Sequence, residues 1–510
     1  MGPHLQPTPS ADRLQPLPAP RTVGLSWPLL LATLGGLVVM TPAWLDLMFQ
    51  DGNIFMHLAA ARWILANGSL PTADPFSFTM PGSPWVVQEW LSEMLFHAAH
   101  QLAGWAGLAV LIGISFALTL GILARFLFAR LEPVHALFLT ILSASLMLSY
   151  MLVRPHVLAW PLTALWFSAL VSAAEERRTP PWWLLPVMIV WANLYGGFTL
   201  GLLLAGGIAA DALLTAPAAE RAATARRWAL FLVLAVLASM VTPHGWRGIW
   251  FTVHLLQQKY SQSVIMDWKS PDFHVQRGFE FWLLLAFGLA WAGKLKLSLM
   301  RMLMMLGLVH LALMAMRSIS TLGLIAPFLL AAPLARGLSS TEHKAAGGDV
   351  EHLDRWFRAL AAPARPVTLL LAAAVAALAT AALFKMHPPR PAGSIAPVAA
   401  VEAARAAGAR GPVLDFPNFG GYLIDQGIPV FIDGRMDMYG DAHFKRFFTA
   451  VSLNEPGALQ KLLDEYKIGW TLLPPGVPAN AVLDVLPGWR RVHADDHAVV
   501  YLRDSPDAPR

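Results

Sequence analysis

The chain is 510 residues long, 56% hydrophobic and only 14% charged. A soluble domain carries about 25% charge, so this composition excludes a single water-soluble core and points to a polytopic membrane protein. The net charge of +5 calls for no nucleic-acid partner, and the absence of cysteine excludes disulfides, thiolate metal sites and cysteine nucleophiles.

Residues 1–26 are Pro-rich and polar, and read as a disordered cytoplasmic amino terminus. Trp27 to Phe49 is apolar, and at 1.5 Å per residue reaches about 34 Å, enough to cross a hydrocarbon core of about 30 Å. It is too long for a signal-peptide core and lacks a small-x-small cleavage pattern, so it reads as an uncleaved anchor. A first outer loop follows, residues 50–104. Its stretch Ile54 to Ala66 spaces Phe55, Leu58, Arg62 and Leu65 for one face of a helix lying at the membrane interface, ended by Asn67-Gly68. A second amphipathic piece, Trp90 to Leu102, leads into the span 105–126.

Further spans are expected at 133–153, 156–174, 182–194, 197–214, 228–243, 279–293, 297–316, 318–335 and 366–384, about eleven in all. The run 182–214 reads either as one long helix or as two around Asn193-Leu194-Tyr195-Gly196-Gly197; basic flanks on both sides favour two. With the amino terminus inside, the outer segments before the tail carry only Arg62, Arg154, Arg247, Lys259, Lys269, Arg277 and Arg317. About twice as many Lys and Arg fall on the other side, which is the bias expected of cytoplasmic loops. The transmembrane part then runs over 27–385 and the tail, 386–510, lies outside, in the periplasm of a bacterial cell whose inner membrane holds the chain.

The tail reads as α/β. Val413 to Phe416, Pro429 to Asp433 and Ile468 to Leu473 look like strands, Pro456 to Tyr466 like a helix, and Arg490 to Leu502 like a hairpin turning near Asp495-Asp496. The fold class is therefore an α-helical polytopic membrane protein with a small C-terminal α/β extracytoplasmic domain.

Charged groups at a membrane edge need a partner or a task. On the outer side this topology collects Asp51, His57, Asp74 and Glu89, then Arg154 and His156, Asn193 and Tyr195, His244 and Arg247, Asp267 and Asp272, and Arg317. Arg presents a planar fork suited to phosphate oxygens, and a carboxylate can take a proton from an attacking hydroxyl or amine. Asp51 and Glu89 are the candidate catalytic acids. His57, Arg154, His156, Asn193, Tyr195, His244, Arg247 and Arg317 are the candidate substrate-binding residues. Structural readings stand beside these. Asp51 suits a helix cap, with or without a role as base. His57 suits packing, Asp74-Pro75 a turn, and Glu89 the positive end of a helix. Arg154 and Arg317 suit interfacial anchoring. The run Asp433-Gly434-Arg435-Met436-Asp437 suits a polar turn more than a metal site. The metal question stays open: Asp267 and Asp272 could ligate a divalent cation, but oxygen-only sites leave weak signatures.

An acid just after the first span, a helix, a Gly and then a Pro-containing stretch before the second span resembles the GT-C superfamily, polytopic glycosyltransferases that use polyprenyl-phosphate-linked sugars. Asp51, Phe55, Ala59, Gly68 and Pro84-Trp85-Val86 sit at places similar to the pattern of the protein mannosyltransferase and aminoarabinose-transferase-like group. Where that group often has an acidic-basic pair, this chain has Gly82-Ser83. The chain also resembles uncharacterised bacterial membrane proteins through DPFSF (74–78), EWL (89–91), RPH (154–156), NLYGGF (193–198), SPDF (270–273) and FIDGRMDMYG (431–440). The resemblance implies an inverting transfer of a hexose or pentose from a polyprenyl-phosphate donor to an envelope glycan, lipid or protein acceptor at the outer face. In that reading Asp51 is the base, Glu89 assists, and Arg154, Arg247 or Arg317 holds the lipid phosphate. The alternative is a non-catalytic scaffold or lipid-glycan-handling protein with the same shell. Transport is the weakest reading, because the polar set sits at the rim and not at the midplane.

Overall fold

Backbone groups in lipid have to satisfy one another, so apolar stretches of this kind fold as helices. The computed structural model describes residues 24–255, 257–338 and 356–504, and helices dominate it. Six are long and apolar enough to cross a membrane: Trp90–Phe128, Pro155–Glu175, Phe198–Thr215, Ala218–Ser239, Ser318–Leu338 and Pro366–Met386. A bent pair, Trp27–Val38 and Pro42–Met48, brings the number to seven if counted as one span. Every stretch read as a span is at least partly helical, but Pro133–Leu148, Leu184–Leu194 and Leu299–Met314 are short. The run 182–214 is two helices, broken at Tyr195-Gly196-Gly197. The expected disorder of 1–26 falls largely outside the described residues.

The first span departs from the straight helix expected over Trp27 to Phe49. It bends by 70° between Val38 and Pro42. Pro42 has no N–H to donate and its ring crowds the carbonyl four residues back, so it opens a new helix. The Trp90–Phe128 helix joins the amphipathic piece and the second span, with a kink at Ala103 and Gly104, where Gly104 has φ +57°.

The expected interfacial helix is also different. Asn53–Asn67 ends where expected, on left-handed Gly68, but Ile54 through Ala61 are all buried. Helix Pro417–Asp425 of the tail and the start of Trp90–Phe128 cover it. Its first half is therefore covered by protein, while Arg62 to Asn67, with Leu65, stay half-buried or exposed.

The tail holds a four-stranded sheet of β1 (Val413–Asp415), β2 (Trp470–Leu473), β3 (Trp489–Ala494) and β4 (Val499–Arg503), in the order β1-β2-β4-β3. β1 runs parallel to β2, and β4 antiparallel to both β2 and β3. The hairpin and the strand before it fall where expected. Pro429 to Asp433 does not form the expected strand. Pro429 lacks a donor, and the segment makes one parallel bridge, Val430 with Ser77 of the first loop.

That bridge belongs to a joint between tail and first loop. Phe78 donates its N–H to the Val430 carbonyl (3.2 Å), Val430 donates to Phe76 (3.3 Å), and the Thr79 hydroxyl donates to Phe431 (2.7 Å). Arg62 pairs with Asp425 at 2.8 Å. The tail thus sits at the end of the helical bundle that carries Asp51, Glu89 and Arg154. At the opposite helix ends Arg301 binds Asp211 (3.0 Å), Glu175 (3.1 Å) and the Leu329 carbonyl (3.1 Å), while Arg130 binds Glu175 (3.0 Å) and the Ser172 hydroxyl (2.7 Å).

Candidate active site

Asp51 follows the bent first pair of helices and precedes Gly52, the cap of Asn53–Asn67. Its Oδ1 accepts the Asn53 N–H at 3.2 Å, so it satisfies a free N–H of the first turn while Gly52 holds the cap position. Both carboxylate oxygens also bind Arg154: Oδ2 takes Nε–H, and Oδ1 takes Nη2–H at 3.0 Å. Arg154 caps the Pro155–Glu175 helix, and its Nη1 donates to the Tyr150 hydroxyl and to the Asp267 carboxylate. One guanidinium therefore ties together the first loop, the RPH turn and the MDWKSPDF loop. The three charged groups are 10–18% exposed in their side chains, so water screens the pairs only weakly.

Arg317 stands beside this group. Its backbone N–H donates to the Asp267 carbonyl (3.3 Å), its Nη2 donates to the Tyr195 hydroxyl (2.9 Å), and its guanidinium lies over Trp268, 4.7 Å from the ring centre. Among the described residues that is its single side-chain hydrogen bond, so most of its fork carries no protein acceptor.

Glu89 caps the Trp90–Phe128 helix. Burial pushes its carboxyl up to about 7; His57 opposes the shift, Glu93 adds to it, and Arg317 and Arg154 oppose it. His57 in the first half of Asn53–Asn67 is 5% exposed, and its Nδ1 lies 3.4 Å from Glu93 Oε1. Burial disfavours the His57 imidazolium, but the neighbouring carboxylates of Glu93, Glu89 and Asp51 hold its pKa above the ordinary value. Two acid–base groupings thus flank one region, Asp51–Arg154–Asp267 with Arg317, and Glu89 with His57–Glu93.

The remaining candidates separate into supports and outliers. His156 is buried, its Nε2 at 3.2 Å from the Tyr150 carbonyl, and its ring packs between Tyr150, Trp160 and Tyr195. Asn193 spends its side chain on packing: it donates to Ile189 (2.8 Å) and Val241 (3.0 Å), and accepts Trp90 Nε1–H (2.8 Å). His244 Nε2 is 3.0 Å from the Val87 carbonyl. Arg247 opens the helix Arg247–Leu255 and is exposed. A shallow apolar cleft of about 360 Å³ opens between Ile64, Leu65, Gly68, Trp90 and Pro243, beside Glu89 in sequence but not lined by Asp51.

Glu93 and Tyr150 escaped the sequence reading. Glu93 lies one helical turn after Glu89, so the spacing alone carried that signal. Among the described residues no group of three His, Asp or Glu converges as a metal site. Asp267 is engaged by Arg154, and Asp272 accepts the His274 N–H (2.8 Å) in an exposed turn. These two acids do not converge with a third ligand.

Asp74 and the FIDGRMDMYG run form the joint's charged centre. Asp74 Oδ1 accepts the Phe76 N–H (3.1 Å) and Arg435 Nη1–H (2.7 Å), while Oδ2 accepts Ser77 N–H (3.0 Å). Arg435 also grips Asp433 through Nε (2.9 Å) and Nη2 (2.6 Å), and its guanidinium faces the Trp85 ring at 4.6 Å. Tyr439 donates its hydroxyl to Asp433 (3.0 Å). Gly440, at φ +69°, supplies the kink in the helix Met436–Val451. The turn reading of Asp74 holds; in the FIDGRMDMYG run Met436 and Asp437 already belong to the helix Met436–Val451, and Asp433 and Arg435 form a buried ion pair where a polar turn was expected.

No protein-family model matches the chain, and no curated protein matches its sequence. Among solved structures it is similar to ArnT from Cupriavidus metallidurans bound to undecaprenyl phosphate (15% identity, 94% of this chain and 99% of that one, TM-score 0.47). It is similar to the same protein in the apo state (14%, 93% and 97%, TM-score 0.46). It is similar also to the archaeal oligosaccharyltransferase AglB from Archaeoglobus fulgidus in complex with an inhibitory peptide and a dolichol-phosphate (10%, 88% and 69%, TM-score 0.46). Similarity at these levels assigns no role to any residue, and the roles rest on the side chains described above.

Proposed function

We propose that the chain is a glycosyltransferase of the bacterial inner membrane, acting at the outer face with its tail in the periplasm. It takes a sugar from a polyprenyl-phosphate donor and passes it to an envelope glycan, lipid or protein acceptor. The observation that carries this reading is Arg317, whose fork is largely open among the described residues, within electrostatic reach of Glu89, a buried carboxyl pushed up to about 7 by its burial. An open guanidinium suits a phosphate leaving group. A carboxyl that titrates near neutrality suits proton removal from the acceptor.

In the reaction the acceptor oxygen or nitrogen forms a bond to the anomeric carbon, and the bond from that carbon to the phosphate oxygen breaks. The electron pair leaves with the lipid phosphate, where Arg317 meets the growing charge. The acceptor proton goes to Glu89. Asp51 and Asp267 fix Arg154 from two sides and largely offset its charge, which leaves Arg317 as the open cation of the group. Asp51 thus acts on the site through Arg154, as well as holding an N–H in the first turn of the helix that carries His57.

A second reading is a lipid-glycan-handling shell without turnover. It draws on the engagement of Arg154, whose donors are mostly taken by Asp51, Tyr150 and Asp267. The test is binding of polyprenyl phosphate against uncharged polyprenol to purified protein in nanodiscs, followed by thermal unfolding, and then sugar transfer from a mixed pool of labelled polyprenyl-phosphate sugars. The expected result is stabilisation by the phosphate form alone, lost in Arg317→Ala, with transfer lost in Glu89→Gln while binding remains. Equal stabilisation by phosphate and alcohol overturns the phosphate site. Binding without transfer in the unaltered protein favours the shell.

A further inference from the structure

We propose that His57 and Glu93 are positioning residues for Glu89: the imidazolium of His57, seated by Glu93, keeps Glu89 ionisable in surroundings that would otherwise hold it as a neutral acid. This inference rests on the proposed function, and it assigns work to a pair outside the arginine group.

The geometry starts from one helical turn. Glu93 N–H donates to the Glu89 carbonyl at 3.1 Å, which places the two acids one turn apart on the Trp90–Phe128 helix. His57 comes from a different element, Asn53–Asn67, and its Nδ1 meets Glu93 Oε1 at 3.4 Å. Glu93 is 2% exposed, and its other oxygen, Oε2, is buried with no hydrogen-bond partner. A carboxylate so placed costs free energy unless an opposite charge stays close. His57 is the nearest such group, and its ring lies 6.0 Å from that of Phe96, tilted by 48°.

The charges around the three groups are few. Glu89 faces His57, Glu93, Arg317 and Arg154. His57 faces Glu93, Glu89 and Asp51, and Glu93 faces His57 and, more weakly, Arg435. Of the charges on Glu89, His57 has the largest effect and favours its ionised form, while Glu93 opposes ionisation. The pair therefore works through two opposed fields. Glu93 alone would push Glu89 toward the neutral acid; His57, held on Glu93, outweighs that push and favours the Glu89 carboxylate. Burial supplies the upward displacement, and the imidazolium limits it to the range where Glu89 can exchange a proton near neutral pH.

The signs give a test that stability alone cannot mimic. His57→Gln removes the cation and leaves Glu93, so the Glu89 titration moves to higher pH. A rise of about one unit from about 7 lowers the ionised fraction at pH 7 from about one half to about one tenth, a roughly fivefold loss. The double variant His57→Gln/Glu93→Gln also removes the opposing anion, and its titration falls between those of the single variant and the unaltered protein. Two readouts follow the same titration in the full-length protein in nanodiscs. One is the pH profile of sugar transfer. The other is the carboxyl infrared band that disappears in Glu89→Gln, which needs no turnover.

The expected order is unaltered protein, double variant, His57→Gln, from low to high pH, with thermal midpoints that do not follow that order. A Glu89 band that titrates at the same pH, or lower, in His57→Gln overturns the inference. If the unaltered protein transfers no sugar, the proposed function fails while the infrared order still decides the coupling.

Discussion

Alanine at Gly421 probes how the tail holds the Asp51 loop. A Cβ there would sit 2.1 Å from the Gly52 carbonyl oxygen, 3.1 Å from its carbon and 3.3 Å from the Met56 nitrogen. Carbon–oxygen contacts settle at about 3.3 Å, so the two helices would have to part by about 1.2 Å. The atoms met are backbone, and no side-chain rotation relieves the overlap. Overpacking of this kind costs about 1–3 kcal/mol. The same shift carries the peptide next to Asp51 away from Arg154, and misplacement by about 1 Å can slow a reaction on the order of a hundredfold. Thermal unfolding in detergent reads the first effect, amide exchange over 52–56 reads the loosening, and sugar transfer reads the third. Gly206→Ala is the control, because a Cβ there meets nothing within 4 Å; it should be neutral or stabilising. If Gly421→Ala matches that control in stability and in exchange over 52–56, the close packing does not position the loop.

Arg154→Lys keeps the charge but loses the fork that spans both oxygens of Asp51 and reaches Asp267; transfer should fall at least about tenfold, measured with saturating donor. Asp211→Ala leaves Arg301 with Glu175 as its one ion-pair partner, and should cost about 1.5–3 kcal/mol in unfolding while polyprenyl-phosphate binding by the folded protein is unchanged. Arg435→Met strands the buried carboxylates of Asp433 and Asp74. A loss of about 3–5 kcal/mol is expected, seen as earlier proteolytic release of the tail than in the unaltered protein.

The helices were legible because apolarity over about 20 residues leaves few other solutions in lipid. The break in the first span was legible too, in Thr41-Pro42, had proline been weighed against hydropathy. The candidate site was legible in part. Residue type and loop position pointed to Asp51, Glu89, Arg154 and Arg317, but not to which acid each arginine binds. The buried first half of Asn53–Asn67 was not legible because its small residues, Ala59 through Ala61, pack closely against protein, and close packing of alanine looks weakly apolar in sequence. The joint was least legible. Arg435 and Asp74 are 361 positions apart, and no local pattern in DPFSF or FIDGRMDMYG says that they meet. Read singly, one is a turn and the other a strand with a polar end. Together they bury a charge cluster whose neighbours, Gly434 against Asn53 and Gly421 against Gly52, press on the residues that follow Asp51. The two motifs that invited the plainest structural readings are therefore the ones that hold the first loop to the tail, and the site's acids depend on that joint for their place.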